Sequence, residues 1–258
     1  MNYSTSEMMT VAAARALSND DICFVGIGLP SAACNLARLT HAPQITLIYE
    51  SGTIRTRPSV LPLSIGDGEL CETALCTVSV PEMFRYWLQG GRITIGFLSG
   101  AQVDRFGNLN STVIGDYHRP TVRLPGSGGA TEIAISCGEI FIVMRQSKRS
   151  FVAELDFLTS LGHGRSGTER QASGVKTKGP TLAISDMCTM TPDPVTNEFV
   201  VRSLHPGSTR EQIRESTGWP IRFAETMEEA PPPTRIELEA LRELNARTAA
   251  ARGLAAAD

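Results

Sequence analysis

The sequence has no long apolar run and no basic start followed by an apolar segment. Its first ten residues, "MNYSTSEMMT", are polar and do not predict a signal peptide. No apolar run approaches the roughly 18 residues that a membrane-spanning helix requires. Lys and Arg number 24 against 27 Asp and Glu, and this near balance excludes the strongly basic surface typical of nucleic-acid binding proteins. We therefore expect neither a membrane nor a nucleic acid as a partner.

Patterns for binding metals and for dense disulfide bonding are absent as well. The 6 cysteines are scattered without a C-x-x-C pair, and the 4 histidines stand apart from one another. These spacings predict no metal site and no disulfide framework. A reducing cytoplasm is the expected location.

What the sequence does contain is a regular alternation of apolar helical and strand patterns. Its 258 residues, 41% of them hydrophobic, are enough for one globular domain over 1–258. "MMTVAAARAL", "PSAACNLARLT" and "PEMFRYWLQGG" are typical of helices. "ICFVGIG", "ITLIYE", "ITIGFL", "EIFIVM" and "TLAISD" are typical of buried strands. Such alternation predicts an α/β fold with an open, largely parallel sheet and flanking helices.

The end of the sequence predicts a separate amphipathic helix at about 234–252. Three prolines, Pro231 to Pro233, break the preceding structure. Thr234 is a suitable N-cap, with Glu237 three residues on as its capping-box partner. We expect this helix to pack on the body of the protein or on a neighbouring subunit.

Glu50 places a carboxylate at the tip of an apolar strand, in "LIYESGTIR". Three interpretations are open: a polar strand end, an acid that binds the ribose of a dinucleotide, or a nucleophile. The second has partial support, because Gly26 and Gly28 lie between a strand and a helix and Glu50 ends the next strand. However, the third small position is Ser31 rather than glycine, and Pro30 stiffens the turn.

A second cluster of unusual composition lies between residues 100 and 130. In "PGSGGA", Gly126, Gly128 and Gly129 allow backbone amides to converge on an oxyanion or a phosphate. A plain flexible turn is the alternative. Gln102, Asp104, Asn108 and Asn110 fit turn-building roles, and His118 fits a loop residue better than a base.

A carboxylate and an amide-lined loop, without a metal or a reactive histidine or cysteine, suit acyl transfer. A glutamate is ionised at neutral pH and needs no general base to act as a nucleophile. Because carboxylates are weak nucleophiles, the reaction requires an activated acyl group such as a thioester. Attack on a CoA thioester gives a mixed anhydride and CoA thiolate.

Several ordered motifs resemble the β (B) subunits of the class I CoA-transferases, in particular the glutaconate CoA-transferase type. They are "GIGLP", "ESG", "GAQVDRFGNLNSTVIGDYHRP" and "GSGGA". The resemblance implies the open α/β sheet of CoA-transferases and a glutamyl-CoA thioester on Glu50. It also implies an oxyanion or CoA-binding site at Gly128, Gly129 and Ala130, close in sequence to Gly126. Many relatives have E-N-G where this chain has Ser51, but the glutaconate type shares the serine.

The longer motifs "VLPLSIGDGELCETA", "SLHPGSTREQI" and "TGWPIRFAE" resemble family members of bacterial aromatic catabolism, which implies transfer of CoA from succinyl-CoA to 3-oxoadipate. A separate α subunit is the implied partner, and CoA enters as a substrate, so no further cofactor is expected. Glutaconate or another dicarboxylate as acceptor, hydrolysis of an acyl-CoA, and a non-catalytic or dinucleotide-binding subunit stay open.

Active-site support is expected from Ser51, Gly52, Gln102 and Asn108. Arginine suits recognition of a second carboxylate, and the candidates are Arg55, Arg57, Arg119 and Arg123.

Overall fold

The computed structural model describes residues 2–253. The helices are α1 (Thr5–Arg15), α2 (Leu29–Leu39), α3 (Gly68–Glu72), α4 (Val80–Glu82), α5 (Ala130–Ser136), α6 (Glu169–Ala172), α7 (Arg210–Glu215) and α8 (Arg235–Arg252). A π-helix, Met83–Leu88, continues α4. The first seven strands are β1 (Ile22–Phe24), β2 (Thr46–Ile48), β3 (Thr53–Ile54), β4 (Cys76–Thr77), β5 (Ile95–Leu98), β6 (Gln102–Val103) and β7 (Leu109–Asn110). They are followed by β8 (Val113–Gly115), β9 (Pro120–Arg123), β10 (Glu139–Val143), β11 (Gly179–Ile184), β12 (Cys188–Pro192), β13 (Phe199–Leu204) and β14 (Arg222–Glu229).

The contacts within the chain divide it into two compact units. Unit 1 is Met1–Phe97 together with Pro233–Asp258, and unit 2 is Leu98–Pro232. The single domain expected over 1–258 stays a prediction. No helix among the described residues has the length and apolar content needed to cross a bilayer.

Unit 1 contains strands in the order β5-β1-β2-β3-β4. β1 runs parallel to both β2 and β5, whereas β3 is antiparallel to β2 and to β4. The loops that follow β1 and β2 therefore lie at the same edge, the carboxyl end of the parallel strands. In open α/β sheets, this edge is where ligands bind.

The helices of unit 1 join the two ends of the chain. Capping boxes start both terminal helices, with Ser4 and Glu7 at α1 and Thr234 and Glu237 at α8. α8 contacts α1 and α2, and its Leu238, Leu241 and Leu244 are buried. Two ion pairs link α1 to the C-terminal helix: Arg15 Nε lies 2.7 Å from Glu237 Oε1, and Arg242 Nε lies 2.6 Å from Glu7 Oε1.

Unit 2 contains strands in the order β14-β13-β12-β11-β10. β10 is parallel to β11 and β13 to β14, while β12 is antiparallel to both neighbours. Two short hairpins, β6–β7 and β8–β9, precede them in the chain. The predicted α/β class, with parallel strands and flanking helices, is confirmed. The sequence did not predict the antiparallel strands β3, β4, β6, β7, β8, β9, β12 and β13, and the first six of these are only two to four residues long.

Candidate active site

Glu50 lies in a tight turn between β2 and β3. The Tyr49 N–H donates to the Thr53 carbonyl at 3.1 Å, and the Gly52 N–H donates to the Tyr49 carbonyl at 3.0 Å. Glu50 is therefore the second residue of a β-turn that closes the hairpin. It is half-buried, whereas Tyr49 is fully buried. The turn holds a partly exposed carboxylate at the carboxyl end of the parallel strands.

Gly52 is required by the geometry of this turn. Its φ is +101°, a value that residues with a Cβ rarely adopt. A Cβ at this position would also overlap the carbonyl oxygen of Val78, whose N–H donates to the Gly52 carbonyl at 2.9 Å. Gly52 therefore shapes the backbone next to Glu50, and its predicted part in active-site support stays a prediction.

Tyr49 fixes the base of the turn to helix α2. Its hydroxyl lies 2.6 Å from the hydroxyl of Ser31, which is itself buried. The Asn35 side chain donates to the Ser31 carbonyl at 2.9 Å. Burial raises the pKa of Tyr49 above its ordinary value, so this phenol stays neutral and acts as an anchor. Ser31, the residue that breaks the dinucleotide pattern, therefore supports the strand end that carries Glu50.

Two buried hydroxyl groups near Glu50 have no hydrogen-bond partner among the described residues. They are Ser51 Oγ and Thr53 Oγ1. Buried polar atoms are usually paired, so unpaired ones require an explanation. Ser51 follows Glu50 directly in the turn, and Thr53 begins β3.

The glycine-rich segment of unit 2 leads into helix α5. The Gly126 N–H donates to the Ser111 carbonyl at 2.8 Å, and the Ala130 N–H donates to the Ser127 carbonyl at 2.8 Å. In contrast, the amides of Gly128 and Gly129 have no partner among the described residues. Gly128 has a φ of +49°, and a Cβ there would meet open space. Of the four residues predicted here, Gly128 and Gly129 present free donors.

Gln102 and Asn108 are buried in the hydrogen-bond network of unit 2. Asn108 Oδ1 accepts from the N–H groups of Gly162 and Gly164, and its amide donates to Asp104 and to the Gly164 carbonyl. The Gln102 side chain bonds Asn110 and both the backbone and carboxylate of Asp156. Burial raises the pKa of Asp104. These side chains hold loops in place, the role that the residue pattern favoured for Gln102, Asp104, Asn108 and Asn110. Active-site support by Gln102 and Asn108 stays a prediction.

The four candidate arginines differ in their contacts. Arg123 lies over the ring of Tyr117, 5.0 Å from its centroid, and donates to the Tyr117 carbonyl. Arg57 donates to the Pro43 carbonyl at 3.4 Å. Arg55 and Arg119 are exposed, and no hydrogen bond or ion pair engages their guanidinium groups within residues 2–253. His118 is an exposed loop residue against the Tyr117 ring.

Arg170 is an important residue that the sequence did not reveal. It is 2% exposed and donates to the carbonyls of Ala134, Leu161, Gly162 and Thr177. Burial lowers its pKa to about 10, so it stays charged at neutral pH. Because Ala134 belongs to α5, Arg170 fixes the helix that follows the glycine-rich segment. In the sequence, "TERQA" looks like an ordinary polar helix.

Comparisons with known proteins give a consistent result. The family model described as Coenzyme A transferase matches residues 6–216. The chain is 64% identical to the B subunit of 3-oxoadipate CoA-transferase from Pseudomonas knackmussii, over 97% of this chain and 96% of that protein. It is 36% identical to the B subunit of glutaconate CoA-transferase from Acidaminococcus fermentans, over 92% and 91%. The crystal structure of the glutaconate enzyme from that organism superposes with a TM-score of 0.88 at 32% identity, over 94% of both chains.

Proposed function

This chain belongs to the coenzyme A transferase family, and we propose that it is the β subunit of a two-subunit enzyme that moves CoA from succinyl-CoA to 3-oxoadipate. The observation that carries the proposal is the 64% identity, over nearly the full length of both chains, to the corresponding subunit of an enzyme with this named acceptor. The more distant glutaconate relative also acts on a dicarboxylate. A dicarboxylic acceptor is thus common to both relatives.

In the proposed chemistry, Glu50 carries CoA between two acyl groups. A carboxylate oxygen of Glu50 attacks the acyl carbon of succinyl-CoA, and the carbon–sulfur bond breaks to give a mixed anhydride and CoA thiolate. The thiolate then attacks the Glu50 carbonyl, which forms a glutamyl-CoA thioester and releases succinate. A carboxylate of 3-oxoadipate repeats the two steps in reverse and restores Glu50. No proton transfer is needed in any of these steps.

The geometry of the hairpin supports the role of Glu50. The glutamate is held at a turn whose hydrogen bonds, buried tyrosine and obligatory glycine leave little freedom. A fixed backbone favours catalysis because it limits the positions that the carboxylate can take relative to the acyl group. A glutamate that only ended a strand would not require this support.

Each attack places negative charge on a carbonyl oxygen, which backbone N–H groups can stabilise. The family resemblance assigns this role to the glycine-rich segment. We base the proposal on Gly128 and Gly129, since the N–H groups of Gly126 and Ala130 already donate within unit 2.

The six cysteines are all free thiols in the described chain, which supports the proposal of a reducing cytoplasm.

A panel of acceptors tests the proposed function. We expect the purified two-subunit enzyme, supplied with succinyl-CoA, to use 3-oxoadipate with a kcat/KM at least about tenfold above that for glutaconate or acetate. Formation of each acyl-CoA is measured by liquid chromatography. A preference for glutaconate would contradict 3-oxoadipate as the acceptor but leave the CoA-transferase activity standing. Hydrolysis of succinyl-CoA without any transfer would contradict the proposal as a whole.

The glycine-rich segment provides a further prediction. Gly128→Val keeps the N–H group, but a β-branched residue disfavours the φ of +49° and should displace this N–H from the oxyanion. We expect turnover to fall by about 10²–10³-fold, the effect of losing one oxyanion donor. Gly174→Val is a matched control, since Gly174 also lies in unit 2 with positive φ and open space around a Cβ. This control variant shows how much turnover is lost through backbone strain alone. Equal turnover in the two variants would make the segment a structural turn.

A further inference from the structure

Arg55 has an unusual backbone conformation for its residue type. Its φ is +55°, and the other residue besides glycine with positive φ among the described residues is Asn197. Asparagine tolerates this left-handed region, but a long side chain with a Cβ adopts it at a cost in free energy. Strain of this kind is concentrated at functional sites, where the surrounding structure enforces it.

The neighbours of Arg55 enforce this conformation. Ile54 is buried and pairs with Ile48 and with Cys76. Thr56 is also buried: its N–H donates to the Leu47 carbonyl at 3.3 Å, and its hydroxyl donates to the Leu70 carbonyl at 2.9 Å. Both flanking residues are thus fixed in the core of unit 1. Arg55 between them is exposed, and within residues 2–253 its guanidinium makes no hydrogen bond or ion pair.

Arg55 belongs to the same hairpin as Glu50. Ile48 pairs with Ile54, and the hydrogen bond from Thr56 to Leu47 continues the pairing. Arg55 therefore lies level with a point two to three residues before Glu50, or roughly 7–10 Å along the strand at about 3.4 Å per residue. The carbon chain of a dicarboxylic acid and an arginine side chain together can span such a distance.

We propose that Arg55 is a specificity-determining residue that binds the carboxylate of the acceptor farthest from the reacting end. The inference rests on the proposed function, since it assumes a dicarboxylic 3-oxoacid in which the carboxyl group nearer the 3-oxo group reacts at Glu50. Guanidinium groups bind carboxylates through two parallel hydrogen bonds, which gives direction as well as affinity. Of the four candidate arginines, Arg55 combines a free guanidinium with a place on the hairpin of Glu50.

The test compares two 3-oxoacids that share the reacting end and differ in the second carboxylate. In the proposed mechanism, succinyl-CoA first loads CoA onto Glu50, and the acceptor then takes it up. The value of kcat/KM for the acceptor therefore depends only on this second half-reaction. A weaker reaction with succinyl-CoA therefore does not affect the ratio of kcat/KM for 3-oxoadipate to that for acetoacetate. We expect Arg55→Gly, in the two-subunit enzyme, to lower this ratio by about 10- to 100-fold, the effect of losing a hydrogen-bonded charge.

Two further variants separate specificity from folding. Arg55→Asn removes the charge with a residue that tolerates positive φ, and it should lower the ratio as Arg55→Gly does. Arg235→Gln removes an exposed positive charge from helix α8 of the same unit and should leave the ratio unchanged. Because glycine adopts positive φ freely, we expect the Tm of Arg55→Gly to be no lower than that of the wild type.

The possible outcomes distinguish the inference from the function on which it rests. If the wild-type enzyme transfers CoA to 3-oxoadipate but both Arg55 variants keep its ratio of kcat/KM values, Arg55 does not bind the second carboxylate. An equal fall for both acceptors would likewise overturn the inference, because it would indicate a structural role. If the wild-type enzyme makes no 3-oxoadipyl-CoA, the proposed function itself fails.

Discussion

Replacing Glu50 with glutamine is expected to abolish CoA transfer, with a loss of at least about 10⁴-fold in kcat. Glutamine keeps the shape of the side chain but lacks the ionised oxygen that forms the anhydride, and removal of a nucleophile has effects of this order. The turn is held by backbone hydrogen bonds and by Gly52, so folding should be unaffected. Turnover, Tm and assembly with the α subunit are measured on the same preparation.

Glu72→Gln is the matched control, because Glu72 is an exposed glutamate of unit 1 and should be replaceable without loss of turnover. Mass spectrometry of the variant must show that the glutamine has not deamidated to glutamate. Substantial activity in an intact Glu50→Gln enzyme would show that another group carries the acyl or CoA moiety.

The same mechanism predicts a covalent intermediate. Wild-type enzyme incubated with succinyl-CoA, without an acceptor, should hold CoA on Glu50 as a thioester. Borohydride reduces such a thioester to an alcohol, and peptide mass spectrometry should place the change on the peptide that contains "YESG". A modification on any other peptide would rule out Glu50 as the carrier of CoA.

The second large effect concerns the partner subunit. We expect the purified chain alone to show no transfer above the background of the Glu50→Gln enzyme, and we expect turnover to appear when the α subunit is added. The relatives are named as B subunits, and such a subunit supplies only part of a two-subunit enzyme. Unit 1 also exposes several large apolar side chains between residues 63 and 86, among them Leu63, Leu75, Val80 and Tyr86, and we expect the α subunit to cover them.

Titration of the α subunit into a fixed amount of this chain measures the effect. Turnover should rise in proportion to the complex and level off at a fixed ratio of subunits, as size-exclusion chromatography with light scattering can verify. Full turnover by the homogeneous chain would contradict a two-subunit site. Mixing the α subunit with the Glu50→Gln chain controls for activity carried by the α-subunit preparation.

The sequence predicted the strands and helices with a strong apolar pattern. β1, β2, β5, β10 and β11 lie within or overlap the predicted strands, and α1 and α2 overlap the predicted helices. The strands β1, β2, β5 and β10 are short, almost continuously buried apolar runs, and the helices carry apolar residues at helical spacing, so their sequence alone indicates their structure. The predicted strand "ICFVGIG" is nevertheless shorter in the structure, since β1 ends at Phe24 and Gly28 turns the chain into α2.

The finer features of the candidate site depend on contacts between distant residues. The positive φ of Arg55 arises because Ile54 and Thr56 are both fixed in the core, which no local pattern reveals. Arg170 is surrounded by carbonyl groups from three other segments. Likewise, the sequence could not show which glycine amides are already engaged, because Gly126 is paired with Ser111 through the continuation of a hairpin. Tertiary structure determines each of these features.

The division of unit 1 between the two ends of the chain has a consequence for biosynthesis. Unit 2 is continuous, so it can fold on the ribosome as soon as it has emerged, as contiguous domains generally do. Unit 1 must wait for its last helix, since Arg15 and Glu237 are separated by 222 positions in the chain. Until α8 is released, the nascent chain exposes the apolar surface of α1 and α2 that α8 later covers. A stall in translation shortly before residue 233 would therefore leave the nascent chain prone to aggregation and dependent on chaperones.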